Sequence, residues 1–214
     1  VGDHEDLIPN VHRKDWIIES LPESLRNAIR TFVVVCAARS ARGQATEHNS
    51  MLVHVTRFNN VQAQVFEQVN DELKDIQNRL RYGDGSTSFR ILDELEQMWK
   101  EEFETISAKI RYAEPELMSL CTSVTWGEVQ KHLVSASQKI QTRGINGAAK
   151  DVLDYPDHKN GLSTIAIGGD KLSRGLTLEG LSVSYYLRSS RMYDTLLQMG
   201  RWFGYRPGYV DLCR

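Results

Sequence analysis

Between Thr164 and Arg206 the chain reads TIAIGGDKLSRGLTLEGLSVSYYLRSSRMYDTLLQMGRWFGYR, and this stretch restricts the fold more than any other. Thr164 to Ile167 is a short apolar run bounded by glycines, the pattern of a buried strand. Gly168, Gly169 and Asp170 follow at the carboxyl edge of that strand, where open α/β sheets place their ligands. Arg174-Gly175 comes next, then a second strand with apolar residues at Leu181, Val183, Tyr185 and Leu187. A short helix closes the stretch, carrying Gln198 and Gly200-Arg201, with Arg206 just beyond. Strand, glycine turn, strand and helix in this order predict an α/β domain.

The preceding chain supplies the rest of such a domain. Residues 1–19 are polar and mixed and read as a linker. Ser20 to Glu23 has the form of a capping box, with Pro22 in the first turn. Leu25, Ile29, Phe32, Val33 and Cys36 then follow at helical spacing. Arg39 and Arg42 fall in the last turn of that helix. They read either as helix-end charges in solvent or as a basic patch for phosphate. Met51 to Thr56 is a short apolar strand, and its His54 reads as a packed core residue, since no second metal ligand stands near it. His48, just before the strand, reads as a loop cap, with a catalytic role as the alternative.

Asn60 to Tyr82 is an amphipathic helix stopped by Gly83, and Phe89 to Tyr112 is a second. The second helix has Leu95, Trp99 and Phe103 on one face and a dense row of glutamates on the other. Such an acidic face repels DNA, so the helix pair is expected to project from the core, with residues 83–126 as a helical insertion. Thr125 to Glu128 is another capping box, followed by a helix and a strand from Lys139 to Ile145. Residues 20–82 and 127–214 thus form the two parts of one domain. Tyr209 to Leu212 reads as a strand, and the chain reads as part of a longer protein.

Composition limits the partners. The 214 residues carry a net charge of −2, so there is no global basic field, and any nucleic-acid contact has to be local. Three cysteines stand far apart with no Cys-x-x-Cys spacing, which points to a reducing, cytoplasmic setting without structural zinc. No apolar run approaches membrane-spanning length, so no membrane partner is expected.

The order of features from Thr164 onward resembles the last part of a RecA-like (P-loop NTPase-type) motor domain, as found in superfamily-two helicases. Ile165 to Ile167 match the strand of the fifth helicase motif, Gly168-Gly169-Asp170 take its small-Thr-Asp places, and Arg174-Gly175 falls on its Arg-Gly. Gln198 to Arg201 looks like the core of the sixth. The wording KLSRGLTLEGL with QMGRWFGYRPGY, together with HNSMLVHVTRF and RGING, resembles the Z1 domain family, described as endonuclease-like and helicase-like proteins. The resemblance runs from about Leu21 to the end. It departs at Gly169, where the motif has Thr, and at Thr177, where an Asp often follows. Arg201 and Arg206 also stand farther apart than the usual arginine pair.

The resemblance implies half of a DNA-dependent motor. Arg201 or Arg206 is then the catalytic arginine that stabilises charge on a transferring phosphoryl group, a task suited to a permanently charged fork. Gly168, Gly169, Asp170, Ser173, Arg174, Gly175, Gln198 and Gly200 are the implied contacts to nucleotide or nucleic acid. ATP and Mg2+ are implied as cofactors, held mainly by an upstream RecA-like domain, because no G-x-x-x-x-G-K-[ST] occurs here. Restriction or defence systems, with nuclease or methyltransferase partners, are the implied context. Two other classes stay open: an endonuclease domain, and a non-catalytic DNA or protein docking module built on a degenerate motor fold.

Overall fold

The structure, a computed structural model, describes residues 3, 8–9, 12–56, 58–85, 90–145, 153–169, 177–186 and 208–214. Its centre is a four-stranded sheet of β1 (Asn49–His54), β2 (Ile140–Ile145), β3 (Ser163–Gly168) and β4 (Leu181–Tyr186), in the order β2-β3-β1-β4. Among the described residues every pairing is parallel. Parallel strands are buried on both faces, and β1 and β3 have no exposed residue.

The strand period of two divides the core. Met51, Val53, Ile165, Ile167 and Val183 point into the main cluster, where the helices pack. Leu52, Ala166 and Leu181 point the other way, into a smaller cluster with Leu153, Tyr155 and Leu162. The helices are α1 (Glu23–Ala41), α2 (Asn59–Tyr82), α3 (Ile91–Met98), α4 (Thr105–Ala113), α5 (Pro115–Ser119) and α6 (Trp126–Ser137). Helix α1 is more enclosed than a one-sided stripe implies: Thr31 to Arg39 are all buried. It lies between the sheet and α6, so its apolar residues extend round the helix.

Several expectations change here. Ser20 makes no capping box, because α1 begins after Pro22 without a side-chain cap from its own sequence. The Ser24 N–H donates instead to Asp3 Oδ2 at 2.9 Å, so a carboxylate far upstream does the capping, and hydrogen bonding from the Ser24 hydroxyl and then its N–H holds that carboxyl below its usual pKa. Residues expected to form a linker lie against the domain. Ile8 and Ile18 are buried, and Gln68 Nε2 donates to Ile18 O. The capping box at Thr125 does form, with Glu128 accepting the Thr125 N–H at 2.7 Å.

The second long helix does not project. Ile91, Leu95, Trp99 and Phe103 are buried in the main cluster together with α1 and β1. Between α3 and α4 the helix passes through a π-helical turn, Trp99–Glu104. The acidic side faces outward, so the repulsion argument needs no separate hairpin.

Arg39 and Arg42 are neither solvent charges nor an open phosphate patch. Arg39 is 3% exposed, and its guanidinium donates to Gln44 Oε1, His48 O and Asn49 Oδ1 at 2.6–2.9 Å. It also stacks 4.1 Å over the Tyr209 ring. Arg42 forms a two-pronged pair with Asp211 at 2.7 and 2.6 Å, and Ser107 donates to the same carboxylate. The expected strand at Tyr209 to Leu212 is therefore a 3-10 turn, Val210–Leu212, that delivers Asp211 to Arg42. Ladder bonding resumes only at Arg214, whose N–H donates to Ser182 O and whose carbonyl accepts the Ser184 N–H, as in a parallel pair.

Burial raises the Asp211 pKa, but the Arg42 fork and the Ser107 hydroxyl outweigh it and hold the carboxyl below the usual range. A depressed carboxylate stabilises the fold above its unfolded pKa of about 3.9 and loses that contribution as pH falls through the lower folded value. Asp211→Asn leaves Arg42 buried without its counter-charge, and should cost about 3–5 kcal/mol at neutral pH. Urea titrations at pH 7 and below pH 4 check this, and the gap between wild type and variant should shrink at the acid end.

Candidate functional site

The strand order determines where a site can form. The chain leaving β1 heads towards β2 on one side, and the chain leaving β3 heads to β4 on the other, past β1. Open α/β sheets have a crevice where connections diverge in this way, at the carboxyl ends of the strands. His54 ends β1 here, in register with Gly168 of β3 on one side and Tyr186 of β4 on the other.

Of the candidate residues, Gly168 and Gly169 lie at this edge. Asp170, Ser173, Arg174, Gly175, Gln198, Gly200, Arg201 and Arg206 lie outside the described residues. The two segments that carry them begin directly after Gly169 and after Tyr186, on the strands that flank β1. The topology thus starts both segments from one edge.

Thr56, just past β1, is the centre of the described part of this edge. Gln62, in the first turn of α2, donates from Nε2 to Thr56 O at 2.7 Å, and that bond is buried. The His12 ring bridges Pro9 O at 2.9 Å from Nδ1 and Thr56 Oγ1 at 2.8 Å from Nε2. A carbonyl only accepts, so Nδ1 carries a proton, and in the neutral ring Nε2 accepts from the Thr56 hydroxyl. Gly169 packs onto the same group: a Cβ there would run into the Thr56 carbonyl and lie 2.7 Å from Gln62 Nε2. Glycine at 169 therefore follows from close backbone packing, a reason independent of any phosphate contact.

Sequence reasoning missed Thr56, Gln62 and His12. The available signal was Gln62 itself, a polar residue beside Val61 and Val65 on the buried side of a helix. His54 is buried and stacks on Tyr186, with ring centroids 5.2 Å apart and planes 17° from parallel, as its core reading expects. Burial pushes the Tyr186 hydroxyl up to about 12, so it keeps its proton at neutral pH. His48 lies at the opposite edge. Its Nδ1 accepts the Leu162 N–H at 3.0 Å, and its ring meets Tyr155 edge-on at 4.8 Å, which makes it a cap between β1 and β3. Among the described residues no group of three or more His, Cys, Asp and Glu side chains is placed to hold a metal ion, and no helix is long and apolar enough to cross a membrane.

A family model described as the Z1 domain matches residues 24–214. No curated protein and no solved structure matches the chain.

The packing at Gly169 has a direct test. Gly169→Ala places a methyl group against a carbonyl held by Gln62 and should destabilise the domain by about 1–3 kcal/mol. Gly169→Thr, the helicase-motif residue, should cost at least as much. Thermal and denaturant unfolding measure both, and an unchanged midpoint for Gly169→Ala would remove the packing explanation.

Proposed function

Given that the chain belongs to the Z1 domain family, we propose that it is the second, C-terminal motor domain of a DNA-dependent helicase-like ATPase. The observation that carries this reading is topological. In the described residues a parallel sheet sends the chain off one carboxyl edge on either side of β1, after Gly169 and after Tyr186. The sequence that follows these two points contains Asp170 to Gly175 and, farther on, Gln198 to Arg206. Segments that leave the ends of strands flanking a common neighbour can converge on one ligand, and this is the arrangement that a fifth-motif and sixth-motif pair requires.

Within this reading ATP and Mg2+ are held mainly by an upstream RecA-like domain, and ATP supplies the phosphoryl group to be transferred. This chain's share is arginine. Arg201 or Arg206 would pair its guanidinium fork with phosphate oxygens and keep its charge at any working pH. Asp170, Ser173 and Arg174 would organise the same edge and meet the DNA backbone. Gln198, Gly200 and Gly175 would let the segments approach closely. The described residues fit a supporting role: Gly168 and Gly169 bring no side chain into the edge, and Thr56 with Gln62 braces it from behind. A setting in restriction or defence, beside a nuclease or methyltransferase, accords with this reading.

The docking-module reading has its own support. Gly169 provides no hydroxyl for a phosphate, and Thr177 takes the place of an acidic residue and is exposed. The endonuclease reading requires an acidic cluster, which would have to include Asp170.

ATP hydrolysis by the full-length protein, with and without duplex DNA, decides between them. DNA should stimulate turnover, and either Arg201→Ala or Arg206→Ala should lower kcat by about 10³–10⁵ while ATP still binds. If there is no DNA-stimulated hydrolysis, or neither arginine matters, the motor reading falls and the docking module leads.

A further inference from the structure

The N-terminal residues pass the carboxyl edge of the sheet, the edge from which both candidate segments start. Ile8, Ile18 and Leu21 are buried in the main cluster, so this part of the chain is packed as an element of the domain. Its main chain is held by a helix. Gln64 of α2 accepts the Ile18 N–H on Oε1 and donates from Nε2 to Trp16 O, both at 2.9 Å. Gln68, one turn on, donates from Nε2 to Ile18 O at 2.8 Å. A side-chain amide offers the same donor and acceptor as a peptide unit, so the two glutamines pair the segment as a neighbouring strand would. The path is fixed through the backbone, while the Ile17 side chain between the paired residues is 74% exposed.

The same segment touches the base of each candidate segment. At the first, the Thr56 hydroxyl donates to His12 Nε2, and Thr56 O meets Gln62 and Gly169 on its other side. The N–H of Val55, next to Thr56, donates to Gly168 O at 2.8 Å, a backbone bond from the end of β1 to the end of β3. At the second, Asp3 accepts the Ser24 N–H, and the Ser24 hydroxyl is hydrogen-bonded to the Tyr185 hydroxyl, one residue before β4 ends at Tyr186. Each link runs through a short, directional hydroxyl, so a shift of the N-terminal residues is felt at Thr56 and at Tyr185.

We propose that the N-terminal segment is a positioning strap for the carboxyl edge. His12 acts through Thr56 on the segment after Gly169, and Asp3 acts through Ser24 and Tyr185 on the segment after Tyr186. The strap's role in turnover rests on the motor reading, whereas its hold on the edge does not. In that reading the strap sets how both arginine-bearing segments start, while ATP stays with the upstream domain.

Amide hydrogen exchange of the full chain at Val55 tests the hold, with Leu133 in α6 as the internal control. His12→Ala should speed exchange at Val55 about tenfold or more and leave Leu133 unchanged. Thr56→Val should match it, and Thr56→Ser should behave as wild type. Gln64→Ala with Gln68→Ala alters no contact of Thr56 or Gly169, yet should speed exchange at Val55 as well. Combined with His12→Ala it should add little, because both act through one strap. The proposal is overturned if the glutamine pair leaves Val55 unchanged, or if Val55 and Leu133 quicken together, which marks a loss of overall stability.

In the full-length protein the glutamine pair should also lower DNA-stimulated kcat about threefold or more, with KM for ATP little changed. An unchanged kcat overturns the strap's part in the motor. A wild-type protein without DNA-stimulated hydrolysis counts against the motor reading alone, and the exchange comparison then still decides the strap.

Discussion

Strand β1 is the constraint on which the rest depends. It is paired on both sides, all six of its residues are buried, and both neighbours run parallel to it. Parallel neighbours cannot be joined by a tight turn, so every connection must cross the sheet and return to the starting edge. All chain exits then collect at one edge and all entries at the other. This separation gives the molecule two chemically different ends. The exit edge is built from glycines, a threonine carbonyl and aromatic rings. The entry edge is built from arginines.

The entry edge shows two ways of keeping a guanidinium out of water. Arg39 is surrounded by neutral oxygens and a tyrosine face, so dipoles and a ring quadrupole carry its charge. Arg42 instead meets a carboxylate, and the fork geometry lets one Asp211 occupy both of its Nη atoms. The second arrangement also ties α1, α4 and the C-terminal turn into one cluster, because Ser107 shares that carboxylate. Burial disfavours both charges, so the specificity of these contacts matters more than their net strength.

Much of the scaffold was legible in the sequence. Strands β1, β3 and β4 and the long helices follow from apolar spacing, because a core facing one side writes its period into the chain. Strand β2 was legible only as a short run before the Asn146-Gly147 turn signal. The failures have physical causes. Arginines in a last turn look like solvent charges, and nothing local reveals that Asp211 lies opposite one of them. Tyr209 to Leu212 alternates like a strand, yet the demand for Asp211 at Arg42 bends it into a turn. The cap on α1 comes from Asp3, beyond the reach of any local pattern. At the candidate site the glycines were visible, but their partners were not. Thr56, Gln62 and His12 meet only because β1, α2 and the N-terminal segment converge in space.

The π-helical turn also sets a rule about length. An α-helix advances about 100° per residue, and a π turn accommodates roughly one residue more than an α-helix would. Trp99 and Phe103 face the core on one side of this turn, and Ser107 faces Asp211 beyond it. Were the same residues wound as a regular α-helix, α4 would turn by about a quarter of a revolution and Ser107 would leave Asp211. The π turn absorbs that rotation, so it holds one residue more than a regular helix over the same path while keeping both faces in place. A chain one residue shorter here should run as a plain α-helix and still present the equivalent of Ser107 to Asp211.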